Sequence, residues 1–229
     1  MFRIQHVNFE KIFNVYDLDT LDTNEWENAS RLKESGWESR YQYESEIIRG
    51  IIAERNIKSV LEVGSGPGIL SQKIQKDIAL EYHLIDKPFA KKYFDEHNFR
   101  GKFFVKDVSM ELNTTGLLPS YDMIICNDVL EHLLSPTSII RTFHGLMTPT
   151  STVFISVPNW RMAHQFIYRG LFDYDNFLYF LYIHKLEVVE VYPSPLQTPP
   201  YPKLSSESCM PDELTTSWNW YFVAQQKKS

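Results

Sequence analysis

The sequence predicts an α/β fold: a doubly wound, seven-stranded sheet, mostly parallel, that closes with an antiparallel C-terminal hairpin. Three features carry that expectation. From residue 41 onward, short apolar runs of strand length alternate with amphipathic stretches of helix length. The first such run ends in an acid and a turn of closely spaced glycines, Glu62-Val63-Gly64-Ser65-Gly66-Pro67-Gly68, which suits passage from a strand into a helix. The last two runs, 186–192 and 218–224, are joined by a proline-rich connection without a helix, so they should pair antiparallel.

Taken in order, residues 1–30 are acidic and weakly periodic (Asp17, Asp19, Asp22, Glu25, Glu27), and 1–40 reads as an N-terminal arm or cap. Tyr43, Ile47, Ile48, Ile51 and Ile52 have the spacing of an amphipathic helix over 41–55. A strand at 59–63 leads through the glycine turn to a helix at about 69–76. A strand at 81–85 ends at Asp86, and Pro88 opens a helix over 88–97 at a position where proline is tolerated. The strand at 102–105 ends near Asp107, and the strand at 121–126 ends in Asn127-Asp128. Ser135 reads as the capping residue of a helix beginning at Pro136, with Ile139, Ile140, Phe143, Leu146 and Met147 as its buried stripe. A strand at 152–157 is closed by Pro158-Asn159, a helix follows at 174–183, and the two terminal strands complete the sheet. Residues 41–229 thus form one expected domain, with 159–185 as a lid or substrate segment.

Bulk composition narrows the function. The 229 residues are 43% hydrophobic and 23% charged, ordinary for a globular chain with one sizeable core. A net charge of −6 offers no general attraction to a polyanion, so nucleic acid is an unlikely partner. Cys126 and Cys209 are too few for a disulfide framework or a thiolate cage, and Cys126 reads as a buried structural thiol. The polar N-terminus does not resemble a signal peptide, and no apolar run approaches the roughly 18–20 residues of a membrane span. A cytoplasmic protein is expected.

In such a sheet a ligand sits outside the carboxyl ends of the strands, so the polar residues there belong together. Glu62 would face whatever the turn at Gly64, Ser65, Gly66 and Gly68 holds. A carboxylate repels pyrophosphate but suits a nucleoside carrying a sulfonium or amino group, and S-adenosylmethionine (SAM) is such a ligand. Asp86 lies 18 residues beyond Gly68, where a carboxylate can accept both ribose hydroxyls, with Lys87 beside it. Asp107 with Val108, then Asn127 with Asp128, follow at the ends of the next two strands.

These residues resemble the class I SAM-dependent methyltransferases, a Rossmann-like family whose first motif is a strand ending in an acid followed by Gly-x-Gly-x-Gly. The resemblance spans about 41–224. It implies that the glycine turn packs against the methionine part and ribose of the cofactor, that Asp86 binds the ribose hydroxyls, and that Asp107 and Val108 meet the adenine. It also puts Asn127 and Asp128 beside the methyl group. The competing dinucleotide fingerprint, Gly-x-Gly-x-x-Gly, would need a glycine where Ile69 stands.

The acceptor is less legible. Amino-methylating DNA enzymes carry an Asp/Asn-Pro-Pro-Tyr/Phe motif after the fourth strand, and cytosine C5 enzymes need a cysteine after proline; this chain has neither. Asn127-Asp128-Val129-Leu130-Glu131-His132 resembles the corresponding segment of small-molecule O-methyltransferases, including those of ubiquinone biosynthesis. In some relatives the positions of Asp128, Glu131 and His132 hold a divalent metal. The simpler reading, in which Glu131 and His132 brace the helix beneath the cofactor, assigns no metal. Trp160 to Lys185 is crowded with aromatic rings and suits a small-molecule substrate, with His164 and His132 as the candidate catalytic residues. Trp37, Arg40, Tyr41 and Tyr43 form a second aromatic-basic cluster from which Tyr41 or Arg40 could reach the cofactor's carboxylate. The expected activity is SAM-dependent methylation of a small molecule, at oxygen. The alternatives are an inactive SAM-binding partner subunit and a metal-assisted RNA 2′-O-methyltransferase.

Overall fold

The computed structural model describes residues 37–108, 112–158, 171, 173–194 and 219–227. The elements run α1 (Trp37–Arg55), β1 (Ser59–Val63), α2 (Ile69–Ile74), β2 (Glu81–Asp86), α3 (Pro88–Glu96), β3 (Lys102–Val105) and β4 (Tyr121–Asn127), then a 3₁₀ turn (Leu130–His132). α4 (Pro136–Gly145), β5 (Met147–Pro158), α5 (Tyr174–Ile183), β6 (Leu186–Pro193) and β7 (Asn219–Gln226) complete them. The seven strands form one sheet in the order β3-β2-β1-β4-β5-β7-β6. β1 to β5 pair in parallel, and β7 lies antiparallel between β5 and β6. The α/β class and the antiparallel C-terminal pair therefore stand as the sequence predicts. The order reverses between β1 and β4, and that switch point opens the crevice beside the glycine turn.

Alternation along the strands divides the interior into two cores. On one face Ile48, Ile51 and Ile52 of α1, Leu70 and Ile74 of α2, and Phe94 of α3 pack on Val60, Met123, Ile125, Phe154 and Tyr221. On the other, Ile139, Ile140 and Phe143 of α4 and Phe177, Phe180 and Leu181 of α5 pack on Leu61, Ile124, Ile155 and Phe222. Cys126 is fully buried in this second core, and burial pushes its thiol pKa up.

Several boundaries differ from the sequence reading. α1 begins at Trp37, four residues before the expected start at 41, so Arg40 belongs to the helix and not to an arm; residues 1–36 lie outside those described. Ser135 does not cap α4 with its side chain: its hydroxyl meets that of Ser138 at 2.7 Å, and its carbonyl takes the Ser138 N–H at 3.0 Å. β5 starts five residues earlier than expected, at Met147, because Tyr121 of β4 pairs with it there. Among the described residues no helix is long and apolar enough to cross a membrane.

Candidate active site

The glycine turn is fixed from two sides. Gly64 and Ser65 donate their N–H groups to the Ile85 carbonyl at 2.9 and 3.1 Å, tying the end of β1 to β2. Gly64, Gly66 and Gly68 have φ of 70°, 52° and 86°, a region that strains any residue with a Cβ. At Gly64 an added Cβ would also sit 2.2 Å from the Val129 side chain. Asp86, at the tip of β2, accepts from the Gly66 N–H at 2.6 Å and from its neighbour Lys87 at 2.7 Å. Burial raises its pKa, and those two amides work against the rise. Two backbone amides thus hold the carboxyl against the turn.

α1 closes the crevice from above. Its C-terminal end is held by Arg55, which bonds Thr152 of β5 and Glu190 of β6, both at 2.9 Å. Its N-terminal turns reach the opposite, carboxyl end of the parallel strands. There Arg40 donates to Glu44 at 2.7 Å and pairs with Asp128. Asp128, at φ 49°, also accepts from Ser156 and Asn219 at 2.7 Å each. Burial works to raise the Asp128 pKa, but Arg40 and these hydrogen bonds outweigh it and hold the carboxyl below its ordinary range. Tyr221 of β7 donates to Glu44 at 3.0 Å, and burial raises the pKa of that acid despite Arg40. Tyr41 is partly buried against the same face, and burial pushes its phenol up.

Glu62 departs from the sequence reading in its charge. It is 3% exposed and accepts a hydrogen bond from Tyr82 at 2.8 Å. Burial pushes its pKa up to about 8, with Glu44 and Asp86 adding to the shift and Tyr82 opposing it. At that value the group keeps its proton through most of the neutral range. Alternation along β4 puts Asn127 on the same sheet face, and its carboxamide nitrogen and oxygen are buried without a hydrogen-bond partner among the described residues. One Glu44 oxygen is in the same position.

The remaining expected residues divide. Lys87 is partly buried at the start of α3, and Asp107 and Val108 follow β3 at the edge of the crevice, Asp107 exposed. His132 lies in the 3₁₀ turn, 32% exposed and 3.8 Å from Glu131, which is fully buried. His164, together with 159–170 of the expected lid, lies outside the described residues. Among the described residues no group of three His, Cys, Asp or Glu side chains is arranged to hold a metal ion. Asp128 turns to Arg40 instead of joining Glu131 and His132. Sequence reasoning missed Glu44, Tyr82, Ser156, Asn219 and Tyr221. Only Glu44 had a local signal, four residues after Arg40 on one helix face.

A family profile described as "Methyltransferase domain" matches residues 35–189. The chain belongs to the methyltransferase-domain family. It is 25% identical over 193 residues to the ubiquinone biosynthesis O-methyltransferase of Histophilus somni, covering 70% of this chain and 79% of that one. Its fold matches a SAM-dependent methyltransferase from Clostridium acetobutylicum with a TM-score of 0.62 at 10% identity, over 96% of this chain and 99% of that one. It also matches the Burkholderia thailandensis 1,6-didemethyltoxoflavin N1-methyltransferase, solved with S-adenosylhomocysteine, with a TM-score of 0.60 at 13% identity, over 100% and 94% of the two chains. This methyltransferase uses SAM as its methyl donor.

The residues present fit that cofactor. The glycine cradle leaves the room that side chains would fill, and Asp86 lines its mouth. Glu62, Glu44 and Asp128 outnumber Arg40, a carboxyl excess suited to a ligand bearing a sulfonium and an ammonium. The buried, unpartnered Asn127 amide and Glu44 oxygen are further polar groups available to its amino-acid end.

Proposed function

We propose that this protein methylates a small molecule at oxygen, in the cytoplasm, with the SAM site formed by Glu62, Gly64, Ser65, Gly66, Gly68, Asp86, Lys87, Asp107, Val108, Asn127 and Tyr41. The observation that carries the acceptor class is the likeness to a ubiquinone biosynthesis O-methyltransferase over 79% of that enzyme's length. SAM supplies an electrophilic methyl group on its sulfonium. The chain's part is alignment and proton removal, as methyl transfer is a direct displacement. Asp86 accepts from the ribose hydroxyls, with the backbone of the turn fixing its direction. Arg40, steadied by Asp128, faces the cofactor's carboxylate, and Glu62 faces its cationic end. Asp128 is therefore a positioning residue in this reading, clamped on three sides. His132, partly exposed and 3.8 Å from Glu131, takes the acceptor's proton; His164 is the second candidate for that task.

Transfer of a labelled methyl group from SAM to fractionated extracts tests the proposal, with the product linkage identified by mass spectrometry. Label in an ether or ester of a small molecule is the expected result. Label confined to RNA, or to nitrogen, overturns it, and binding without transfer to any fraction supports the inactive-subunit alternative. His132→Gln should lower kcat by roughly 10²-fold with cofactor affinity unchanged. Unchanged kcat removes His132 from the role.

A further inference from the structure

Among the described residues, the polar layer beneath the N-terminal turns of α1 holds more carboxyls than Arg40 serves. Arg40 is engaged by Glu44 and Asp128. Glu62 has Tyr82 as its hydrogen-bond donor among the described residues. The titratable groups that face Glu62 are Tyr82 and Asp86 from β2, and Glu44 and Tyr41 from α1. None of these is a cation. A carboxyl buried among acids and phenols gains by keeping its proton, and only an arriving positive charge reverses that preference. SAM and the product left after methyl transfer differ in this respect, as one carries a sulfonium and the other a neutral thioether.

We propose that Glu62 is a specificity-determining residue that reads this charge, releasing its proton to solvent when the sulfonium form binds and keeping it when the thioether form binds. The inference rests on the SAM site assigned above. It makes the site favour donor over spent cofactor near neutral pH and lose that preference in acid. The neighbouring geometry supports the assignment. Tyr82 donates to the carboxyl in either state, so ionisation needs no rearrangement of the pair. Arg40 is engaged by Glu44 and Asp128 and is not among the groups that shift Glu62.

Isothermal titration of the full chain with SAM and with S-adenosylhomocysteine, in buffers of different ionisation enthalpy, counts the protons released. At pH 7 the wild type should release close to one more proton with SAM. The ratio of the two dissociation constants should grow with pH by up to about tenfold per unit, levelling where the carboxyl ionises in the thioether complex. In Glu62→Gln both differences should fall to the contribution of the ligands' own amino groups, and that variant supplies the baseline. Tyr82→Phe, which keeps the carboxyl but removes its donor, should move the levelling point to higher pH. Equal proton release with the two ligands in the wild type overturns the proposal, as does a difference that persists unchanged in Glu62→Gln. If neither ligand binds, the site assignment fails and this inference fails with it.

Discussion

The two faces of the sheet diverge at the carboxyl ends of the strands. Under α1 lies a buried hydrogen-bonded layer of Glu62, Tyr82, Glu44, Arg40, Asp128, Asn219 and Tyr221. Under α5 the described core is apolar, with Tyr174 against Trp220 at 5.3 Å and Phe177 against Phe222 at 5.2 Å. Adjacent residues of one strand supply both, as Trp220 and Phe222 point one way and Tyr221 the other. The apolar face gains free energy from every ring it buries. The polar face gives up solvation for its acids and recovers only part of it through internal partners. Both faces carry an apolar core, and the α1 face adds buried acids at the strand ends.

The largest test of this contrast is Phe177→Ala. Phe177 is fully buried between α5 and β7, so its truncation should cost about 3–5 kcal/mol of stability, read by denaturant unfolding. Cofactor affinity in the folded fraction should stay within about twofold, and a larger loss would mean the two faces are not separable. Asp86→Ala should do the reverse, weakening SAM binding by about 1–3 kcal/mol with a smaller change in the unfolding midpoint. Unchanged affinity would remove Asp86 from the site.

The pH dependence of stability is spread over several pH units and is the most specific test of the polar face. The Glu62 pKa is about 8 in the folded chain against about 4.3 when unfolded, so between those values the native state holds the extra proton. Stability of the ligand-free protein should therefore fall as pH rises through that window, by up to about 1.4 kcal/mol per unit for this group, and level off above about pH 8. Glu44 and Asp86, also raised, act in the same sense. Asp128, with its pKa lowered, contributes in the opposite sense: its stabilisation is present above the unfolded carboxylate range and is lost as pH falls through its folded value. Thermal melts from pH 5 to 9 should show Glu62→Gln flattening the alkaline part of the slope. A slope identical to wild type would contradict the buried neutral acid.

The parts of this molecule written in short stretches were open to reading in advance. Hydrophobic periodicity gave all seven strands, because alternation and run length are properties of a few neighbouring residues. The turn at Gly64–Gly68 and the acid at Asp86 were legible for the same reason, as their positive φ values and strand-end position follow from local spacing. The partners of Asp128 were not. Arg40, Ser156 and Asn219 lie 88, 28 and 91 residues away and meet only because β7 slots between β5 and β6 while α1 crosses the strand ends.

The sequence alone thus determined the α/β class, the antiparallel close and the glycine turn with the acid at the tip of the next strand. The tertiary structure decided the electrostatics around them. Glu62 carries the same carboxyl in either description, but burial beside Tyr82 and other acids, with Arg40 drawn off to Asp128, makes it neutral where the sequence suggested an anion. The reason is physical: a backbone turn is a local property, whereas a proton's affinity depends on every charge and every water molecule within several ångströms, and those neighbours are set by the fold.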